Sequence, residues 1–137
     1  MELVYSNKIP TASDYNDLTN NVDWGKRDEK IVEIALEQSL YCVCVYDNSK
    51  LIGFARIIGD GAIFLYIQDV MVNKEYQNMN IGKEIMNQLL EKIEDYKKIN
   101  PNARVYLGAS KGKEGFYRKF GFKERKECGL GEGMILV

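Results

Sequence analysis

The chain has 137 residues, of which 45% are hydrophobic and 28% charged, with a formal net charge of -1 at pH 7. This length and composition are typical of one globular domain, residues 1–137, and the balanced charge argues against a nucleic-acid or anionic-membrane partner. The sequence contains no histidine, which excludes catalysis by imidazole and metal sites that need histidine ligands.

The first part of the chain predicts a strand followed by two helices. No apolar run reaches about 18 residues, so we expect no membrane helix, and the beginning of the chain lacks the pattern of a signal peptide. Residues 2–5 predict a short strand. Thr11 or Ser13 can cap a helix that runs to Val22, and apolar residues at spacings of three and four over 31–39 predict a second helix.

After the second helix, apolar residues recur at every second position instead of every third or fourth. This pattern predicts three consecutive antiparallel strands, over about 40–46, 51–58 and 62–72. Asp60 and Gly61 predict a two-residue hairpin between the last two strands, since both positions must tolerate positive φ.

The third of these strands changes phase along its length. Alternate apolar residues over 63–67 occupy one face, whereas Val70 and Val72 have the other parity. One extra residue at Gln68–Asp69, a β-bulge, would produce this change. A strand buried on both faces would explain it equally well.

The three cysteines do not form a metal-binding pattern. Cys42 and Cys44 alternate on the first of the three strands, and Cys128 is distant in the sequence. One C-x-C pair without histidine is a poor zinc site, so we expect no bound metal. The odd number of cysteines indicates reduced thiols in a cytoplasmic protein, and we expect them to pack as small apolar side chains.

The second half of the chain predicts the clearest helix and the remaining strands. An apolar stripe over 80–98, with Asn80 at its N-cap, predicts a long helix that ends at Asn100-Pro101-Asn102. The later elements are, in order, a strand over 103–110, a short helix over 114–120 closed by Gly121, and strands over 122–127 and 133–137. The order of elements predicts an α/β (α+β) fold, a mixed sheet with helices on its faces.

One strand–turn–helix junction forms a candidate binding site. The strand ending Asp69-Val70-Met71-Val72 is followed by a turn that leads into the long helix at Asn80. The first N–H groups of a helix have no intrahelical acceptor and carry partial positive charge, so they stabilise a phosphate or pyrophosphate. Gly82 in the first turn would let such a ligand approach the backbone closely.

The segment VMVNKEYQNMNIGKEIM, residues 70–86, resembles the acyl-CoA-binding motif R/Q-x-x-G-x-G/A of the GCN5-related N-acetyltransferase (GNAT) family. Gln77 and Gly82 match the ends of the motif, and Asn80 stands where the family usually has glycine. Asparagine tolerates the left-handed conformation, so we expect the turn to be kept. A second segment, FYRKFGF over 116–122, is similar to the family's downstream F-Y-x-x-x-G-F.

The resemblance implies that acetyl-CoA binds as a cosubstrate where two central parallel strands splay apart. Backbone groups of Val70, Met71 and Val72 would pair with the pantetheine arm, and one N–H there would support the thioester oxygen. The pyrophosphate loop is implied for the positions that follow: Gln77, Asn78, Met79, Asn80, Ile81, Gly82 and Lys83.

Acyl transfer to an amine would have to proceed here without histidine. Asp69, next to the expected bulge, is the candidate base, with a structural hydrogen bond as the alternative role. An aspartate ordinarily has a pKa of about 3.9, which favours proton transfer through water over direct abstraction. Tyr117 matches the family's tyrosine that hydrogen-bonds the departing sulfur, and packing beside Phe116 and Phe120 is its alternative role.

Trp24, Tyr66 and Gln68 are candidates for contact with the acceptor. Trp24 falls in the loop between the first two helices, and loops in this position border the acceptor site in the resembled family. Because tryptophan is so often buried, a core position between the two helices is the alternative.

Together these features predict an N-acetyltransferase that moves an acetyl group from acetyl-CoA to a primary amine by direct attack in a ternary complex. A small-molecule amine is the favoured acceptor, ahead of a protein lysine or N-terminus. Dimers are common in the resembled family, so a homodimer is also expected as one option. The competing interpretations are a non-catalytic acyl-CoA-binding domain and an unrelated α+β module.

Overall fold

The computed structural model describes residues 2–137. It forms two compact units, one ending at Tyr106 and the other covering Leu107–Val137. The elements are, in chain order, β1 (Leu3–Ser6), α1 (Ala12–Asn21), α2 (Glu29–Glu37), β2 (Tyr41–Asp47), β3 (Lys50–Gly59), β4 (Phe64–Val72), a 3-10 turn (Lys74–Tyr76), α3 (Ile81–Ile99), β5 (Arg104–Leu107), α4 (Glu114–Arg118) and a second 3-10 turn (Arg125–Cys128).

The five strands form one sheet in the order β1-β2-β3-β4-β5. The first four strands pair antiparallel with their sequence neighbours, and β4 and β5 form a parallel pair. The long α3 connects this pair, as a parallel connection requires. The predicted α/β class, with a mixed, mostly antiparallel sheet and flanking helices, is therefore confirmed.

Apolar side chains cover both faces of the sheet. On one face, α1 and α2 contribute Leu18 and Leu36 to a cluster with Phe54 and Met71, each at most 2% exposed. On the other face lies α3, whose Ile85 has its Cδ1 only 3.1 Å from where a Cβ on Gly53 would stand. Because a buried aliphatic or aromatic side chain contributes about 1.5–3 kcal/mol, these two layers hold the sheet between its helices.

Side-chain caps determine where the first two helices begin. Thr11, one of the two predicted caps, accepts a hydrogen bond from the N–H of Asp14 at 3.1 Å. Asp28 accepts from the N–H groups of Lys30 and Ile31 and starts α2. The break between α1 and α2 thus follows from a second capping residue, as local side-chain chemistry requires.

The predicted bulge in β4 is confirmed. Ile57 of β3 pairs with Ile67, and Gly53 pairs with Val72, so four steps on β3 oppose five steps on β4. The extra residue lies at Asp69, whose φ is 59°. The strand therefore shifts its alternation by one residue, which explains the change of phase in the sequence.

The predicted two-residue hairpin at Asp60-Gly61 is wrong. Strand β3 ends at Gly59 and β4 begins only at Phe64. The Oδ1 atom of Asp60 accepts hydrogen bonds from the N–H groups of Ala62, Ile63 and Phe64 at 2.7–3.0 Å. One side chain thus accepts hydrogen bonds from three backbone N–H groups, which stabilises a loop longer than the two-residue turn. They also lower the pKa of the Asp60 carboxyl.

The two strands predicted after α4 are also absent from the described residues. The first is replaced by the 3-10 turn, which Glu124 and Glu127 close with reciprocal side-chain-to-backbone hydrogen bonds, a capping box. The second forms no regular structure, and Met134–Val137 are exposed. A strand needs a paired neighbour as well as an apolar pattern, so short apolar runs overpredict strands.

Candidate active site

The centre of the candidate site is the bulged carboxylate of Asp69. Its Oδ2 accepts a hydrogen bond from the Tyr15 hydroxyl at 2.7 Å and from Nε of Arg56 at 2.8 Å. The side chains of Asp69 and Arg56 are only 17% and 15% exposed. Asp69 therefore makes structural hydrogen bonds, the alternative role expected for it, and its two partners lie on α1 and β3.

Sequence analysis missed both of these partners. Arg56 stands alone in the apolar strand segment LIGFARII, which is a signal that a buried guanidinium needs a carboxylate nearby. Its Nη1 also donates to the carbonyl of Ala35 at 3.0 Å and to Oγ of Ser39 at 3.2 Å. Tyr15 carried no comparable signal, because its partner lies 54 positions away in the sequence.

The strand leaves the bulge through the three residues proposed to pair with the pantetheine arm. Met71 is 2% exposed and packs in the layer under α1 and α2, whereas Val70 and Val72 are half-buried. The carbonyl of Val72 accepts a hydrogen bond from Nε2 of Gln77 at 3.0 Å. The Gln77 side chain thus closes the turn back onto the end of β4.

The turn before α3 contains two asparagines in the left-handed conformation. The φ angles are 65° for Asn78 and 62° for Asn80. The left-handed conformation was expected at Asn80, where the family usually has glycine, but not at Asn78. Asn80 lies at the predicted N-cap position but makes no side-chain capping bond. The first helical hydrogen bond runs from the N–H of Glu84 to the carbonyl of Asn80, so the preceding N–H groups are left for another acceptor.

The segment between β4 and this turn is held by several side chains. Asn73 is 3% exposed, and its Oδ1 accepts from the N–H of Glu75. The Tyr76 hydroxyl donates to the carboxylate of Asp47, the last residue of β2. The backbone N–H of Lys74 donates to the end of α1. The segment that leads to the N-terminus of α3 is therefore hydrogen-bonded to the end of α1 and to the end of β2.

The start of α3 combines small, charged and apolar residues. Ile81 is buried at 2% and anchors the helix, whereas Met79 is 47% exposed and Lys83 is also exposed. Gly82 lies between the anchor and the lysine in the first turn. A phosphate would find backbone donors, the positive end of a 19-residue helix and one cation here.

The acceptor candidates lie on two different elements. Tyr66 and Gln68 are two residues apart on β4 and so share one face, and Tyr66 stacks on Tyr106 with ring centroids 5.2 Å apart. Trp24 lies in the α1–α2 loop, where its backbone N–H donates to the carbonyl of Thr19. Trp24 is 42% exposed, so the alternative of a core position is not supported.

Tyr117 lies on α4 in the second unit. Burial raises the pKa of its hydroxyl above the usual value, which keeps the group a hydrogen-bond donor at neutral and mildly alkaline pH. The ring contacts Phe116 and Phe122 edge-on, at 5.1 and 6.3 Å between centroids. Tyr117 also lines a pocket of about 260 Å³ with Glu114. Tyr117 therefore packs against neighbouring aromatic rings and also faces a pocket, so the structure is compatible with both of its expected roles.

Two of the three cysteines are in the core, as predicted. The thiols of Cys42 and Cys44 are buried and donate to the carbonyls of Asn7 and Lys8. Cys128 is exposed, so the prediction of core packing is wrong there. Within residues 2–137, no group of three or more cysteine, aspartate or glutamate side chains is placed to hold a metal ion. No helix in the same range is long and apolar enough to cross a membrane.

The bulged strand leads through a left-handed turn into the N-terminus of a long helix, which is the arrangement that the resemblance to the GNAT family implies. The model of the Acetyltransferase (GNAT) domain matches residues 16–137, which extend through both compact units. The chain belongs to the GNAT family of acetyltransferases.

Two similar proteins are named N-acetyltransferases. The chain is 31% identical over 121 residues to an uncharacterised N-acetyltransferase of Pyropia yezoensis, covering 85% of this chain and 67% of the relative. It is 38% identical over 109 residues to one of Prochlorococcus marinus, covering 77% and 58%. The chain therefore spans between 58% and 67% of the length of these two relatives.

Solved structures share the fold. A probable acetyltransferase of unknown function from meticillin-resistant Staphylococcus aureus superposes with a TM-score of 0.88 and 31% identity, over 99% of both chains. Arabidopsis thaliana Naa50, solved in complex with the bisubstrate analogue CoA-Ac-MVNAL, has a TM-score of 0.71 and 20% identity over 90% of this chain and 85% of its own. At that identity the likeness to Naa50 concerns the fold.

Proposed function

We propose that this protein is an acetyl-CoA-dependent N-acetyltransferase whose acceptor is a small primary amine. The observation that supports this most is the pair of left-handed asparagines, Asn78 and Asn80, which precede the free N–H groups of α3. Such a helix start fits the pyrophosphate of a coenzyme A ester. Residues 78–83 would hold that group, and the backbone of Val70–Val72 would pair with the pantetheine arm.

The reaction needs one bond to form and one to break. The amine nitrogen attacks the thioester carbon, the carbon–sulfur bond breaks, and the amine gives up a proton while the thiolate gains one. An N–H at the bulge supports the thioester oxygen as charge develops on it. The match of Tyr117 to the family's tyrosine assigns its hydroxyl as the proposed hydrogen-bond donor to the departing sulfur.

The amine proton leaves through water in this proposal. Oδ2 of Asp69 already accepts two hydrogen bonds, from Tyr15 and Arg56. These contacts favour Asp69 as a group that orients a water, rather than as a direct proton acceptor. The three free thiols fit the further proposal of a reducing, cytoplasmic compartment.

The test is thiol release from acetyl-CoA with three classes of acceptor at matched concentration: small amines, lysine peptides and peptides with a free N-terminus. A higher kcat/KM for the small amines supports the proposal. A preference for a peptide with a free N-terminus would favour the second candidate function, N-terminal acetylation of proteins. That candidate is considered because the fold is shared with Naa50, which was solved in complex with the bisubstrate analogue CoA-Ac-MVNAL. Tight CoA binding without turnover on any class would favour a non-catalytic domain.

CoA binding itself is tested by thermal unfolding. A ligand that binds only the folded state stabilises it by RT ln(1 + [L]/Kd), about 2.7 kcal/mol at a hundredfold excess over Kd. We expect acetyl-CoA to raise the unfolding midpoint. No shift at millimolar acetyl-CoA would contradict the assignment of the α3 N-terminus as a pyrophosphate site.

A further inference from the structure

A hydrogen-bonded network lies beside the β4 bulge and connects four elements. Arg56 on β3 joins Asp69 on β4 to the end of α2, through the carbonyl of Ala35. Tyr15 on α1 adds its hydroxyl to the same carboxylate oxygen. In the proposed acyl transfer, Arg56 and Tyr15 enter only as hydrogen-bond partners of the Asp69 carboxylate.

We propose that Arg56 and Tyr15 are positioning residues that hold the bulge in the geometry needed for acetyl transfer. This inference rests on the proposed function, since the group being positioned is the backbone N–H of Val70, the residue after Asp69. Neither side chain is assigned a contact with the acyl group or the amine.

The backbone at Asp69 requires such support. Its φ of 59° is in the left-handed region, which costs energy for a residue with a Cβ and persists only where the surroundings hold it. A glycine at this position would avoid the steric cost, whereas an aspartate only reduces it. Two donors on one oxygen, from β3 and from α1, restrict the side chain and through it the backbone of the bulge.

The guanidinium of Arg56 is suited to this task by its shape. Nε faces the carboxylate at 2.8 Å and Nη1 faces the α2 carbonyl at 3.0 Å, so one rigid plane spans two elements. A lysine ammonium is a single point donor on a flexible stem and does not reproduce that span. Because the side chain is only 15% exposed, water does not readily replace either bond.

The network also reaches both helices that flank the acceptor-side loop. Tyr15 belongs to α1, and Ala35 lies in the last turn of α2. The loop with Trp24 joins these two helices. A single cluster of bonds thus connects the helices on either side of the acceptor loop to the strand position that supports the thioester.

The test compares Arg56→Lys and Tyr15→Phe with the wild type and with two matched controls, Arg104→Lys at the exposed first residue of β5 and Tyr5→Phe on β1. For the first two variants we expect kcat to fall by about 10- to 100-fold, less than the roughly 100- to 1,000-fold seen when an oxyanion donor is removed outright, because the Val70 N–H is displaced and not removed. The acetyl-CoA KM and the thermal shift with CoA should change by less than about threefold. The controls should stay within about twofold of the wild type.

An unchanged kcat in a folded Arg56→Lys protein would overturn the inference. So would a loss of CoA binding as large as the loss of kcat, because that would indicate general damage to the fold.

A readout independent of turnover separates this inference from the proposed function. The amide ¹⁵N–¹H resonance and hydrogen exchange of Val70 should change in Arg56→Lys, while those of Leu89 on α3 should not. If the wild type transfers acetyl to no amine, the proposed function fails, and the Val70 amide still decides whether Arg56 positions the bulge. A Val70 amide identical to that of the wild type would refute the positioning role.

Discussion

Asn78 and Asn80 both have left-handed backbones, and only Met79 separates them. Asparagine is among the non-glycine residues that adopt this conformation at lowest cost. The chain then enters α3 at Ile81, which is buried, so the helix N-terminus is anchored next to the turn. The resembled motif uses glycine where this chain has Asn80, and the backbone shape is retained by a different residue.

The conformation at Asn80, rather than its side chain, is expected to matter for binding. Asn80→Gly should keep acetyl-CoA affinity within about threefold, because glycine adopts positive φ without steric cost. Asn80→Val should destabilise the fold by about 1–2 kcal/mol and weaken binding by about tenfold. Calorimetric titration and urea unfolding measure the two effects. Asn102→Val, at an exposed asparagine outside the turn, is the control, and equal affinity in both valine variants would contradict this role.

A side chain at position 82 should obstruct the phosphate rather than the fold. Valine is a better helix former than glycine, so Gly82→Val should leave the unfolding midpoint near that of the wild type. Its dissociation constant for acetyl-CoA should rise by at least about tenfold, or roughly 1.4 kcal/mol. Asn87→Val, at an exposed position of the same helix, should bind as the wild type does. Undiminished affinity in Gly82→Val would remove the first turn of α3 from the binding site.

Tyr117→Phe tests the role of the hydroxyl with little change in packing. The ring contacts with Phe116 and Phe122 are retained, so stability should change by less than about 1 kcal/mol. We expect kcat to fall by about 10- to 100-fold with the acetyl-CoA KM nearly unchanged, because the hydrogen bond strengthens only as the sulfur departs. Thiol-release kinetics measure both constants, and a kcat equal to that of the wild type would exclude Tyr117 from the mechanism.

The local features of the site were predictable because each is encoded in residue type and parity. The bulge at Asp69 is one of the two explanations that the shift between Ile67 and Val70 allowed. The left-handed turn at Asn80 was expected because asparagine stands where the resembled motif has glycine. These features need no information from distant parts of the chain.

The remaining features depend on contacts between residues far apart in sequence. The bond from Tyr15 to Asp69 joins residues 54 positions apart, and no local pattern indicates such a partner. The wide loop after β3 forms because Asp60 bonds three N–H groups, which competes with the hairpin that Asp-Gly favours. A strand at 133–137 would need a pairing partner, which an apolar pattern alone does not specify.

Alkaline pH should destabilise the fold through Tyr15, which is buried, and Tyr46, which is half-buried. Burial raises the pKa of Tyr46 to about 12. Burial and then the hydrogen bond to Asp69 raise that of Tyr15, against about 10 for an unfolded tyrosine. A pKa raised by folding means that the folded state holds its proton more tightly. The resulting stability is complete below pH 10 and is lost as the pH rises through the folded value.

Urea unfolding at pH 8, 9, 10 and 11 measures this loss. Tyr15 alone should contribute a slope of up to about 1.4 kcal/mol per pH unit above pH 10, because one proton is released on unfolding. In Tyr15→Phe the slope should be smaller by that amount, although the variant is less stable at pH 8. Phe54→Leu, which loosens the ring contact with Tyr15 without removing a titrating group, should keep the slope of the wild type. Parallel slopes in Tyr15→Phe and the wild type would show that this hydroxyl does not titrate differently in the folded and unfolded chains.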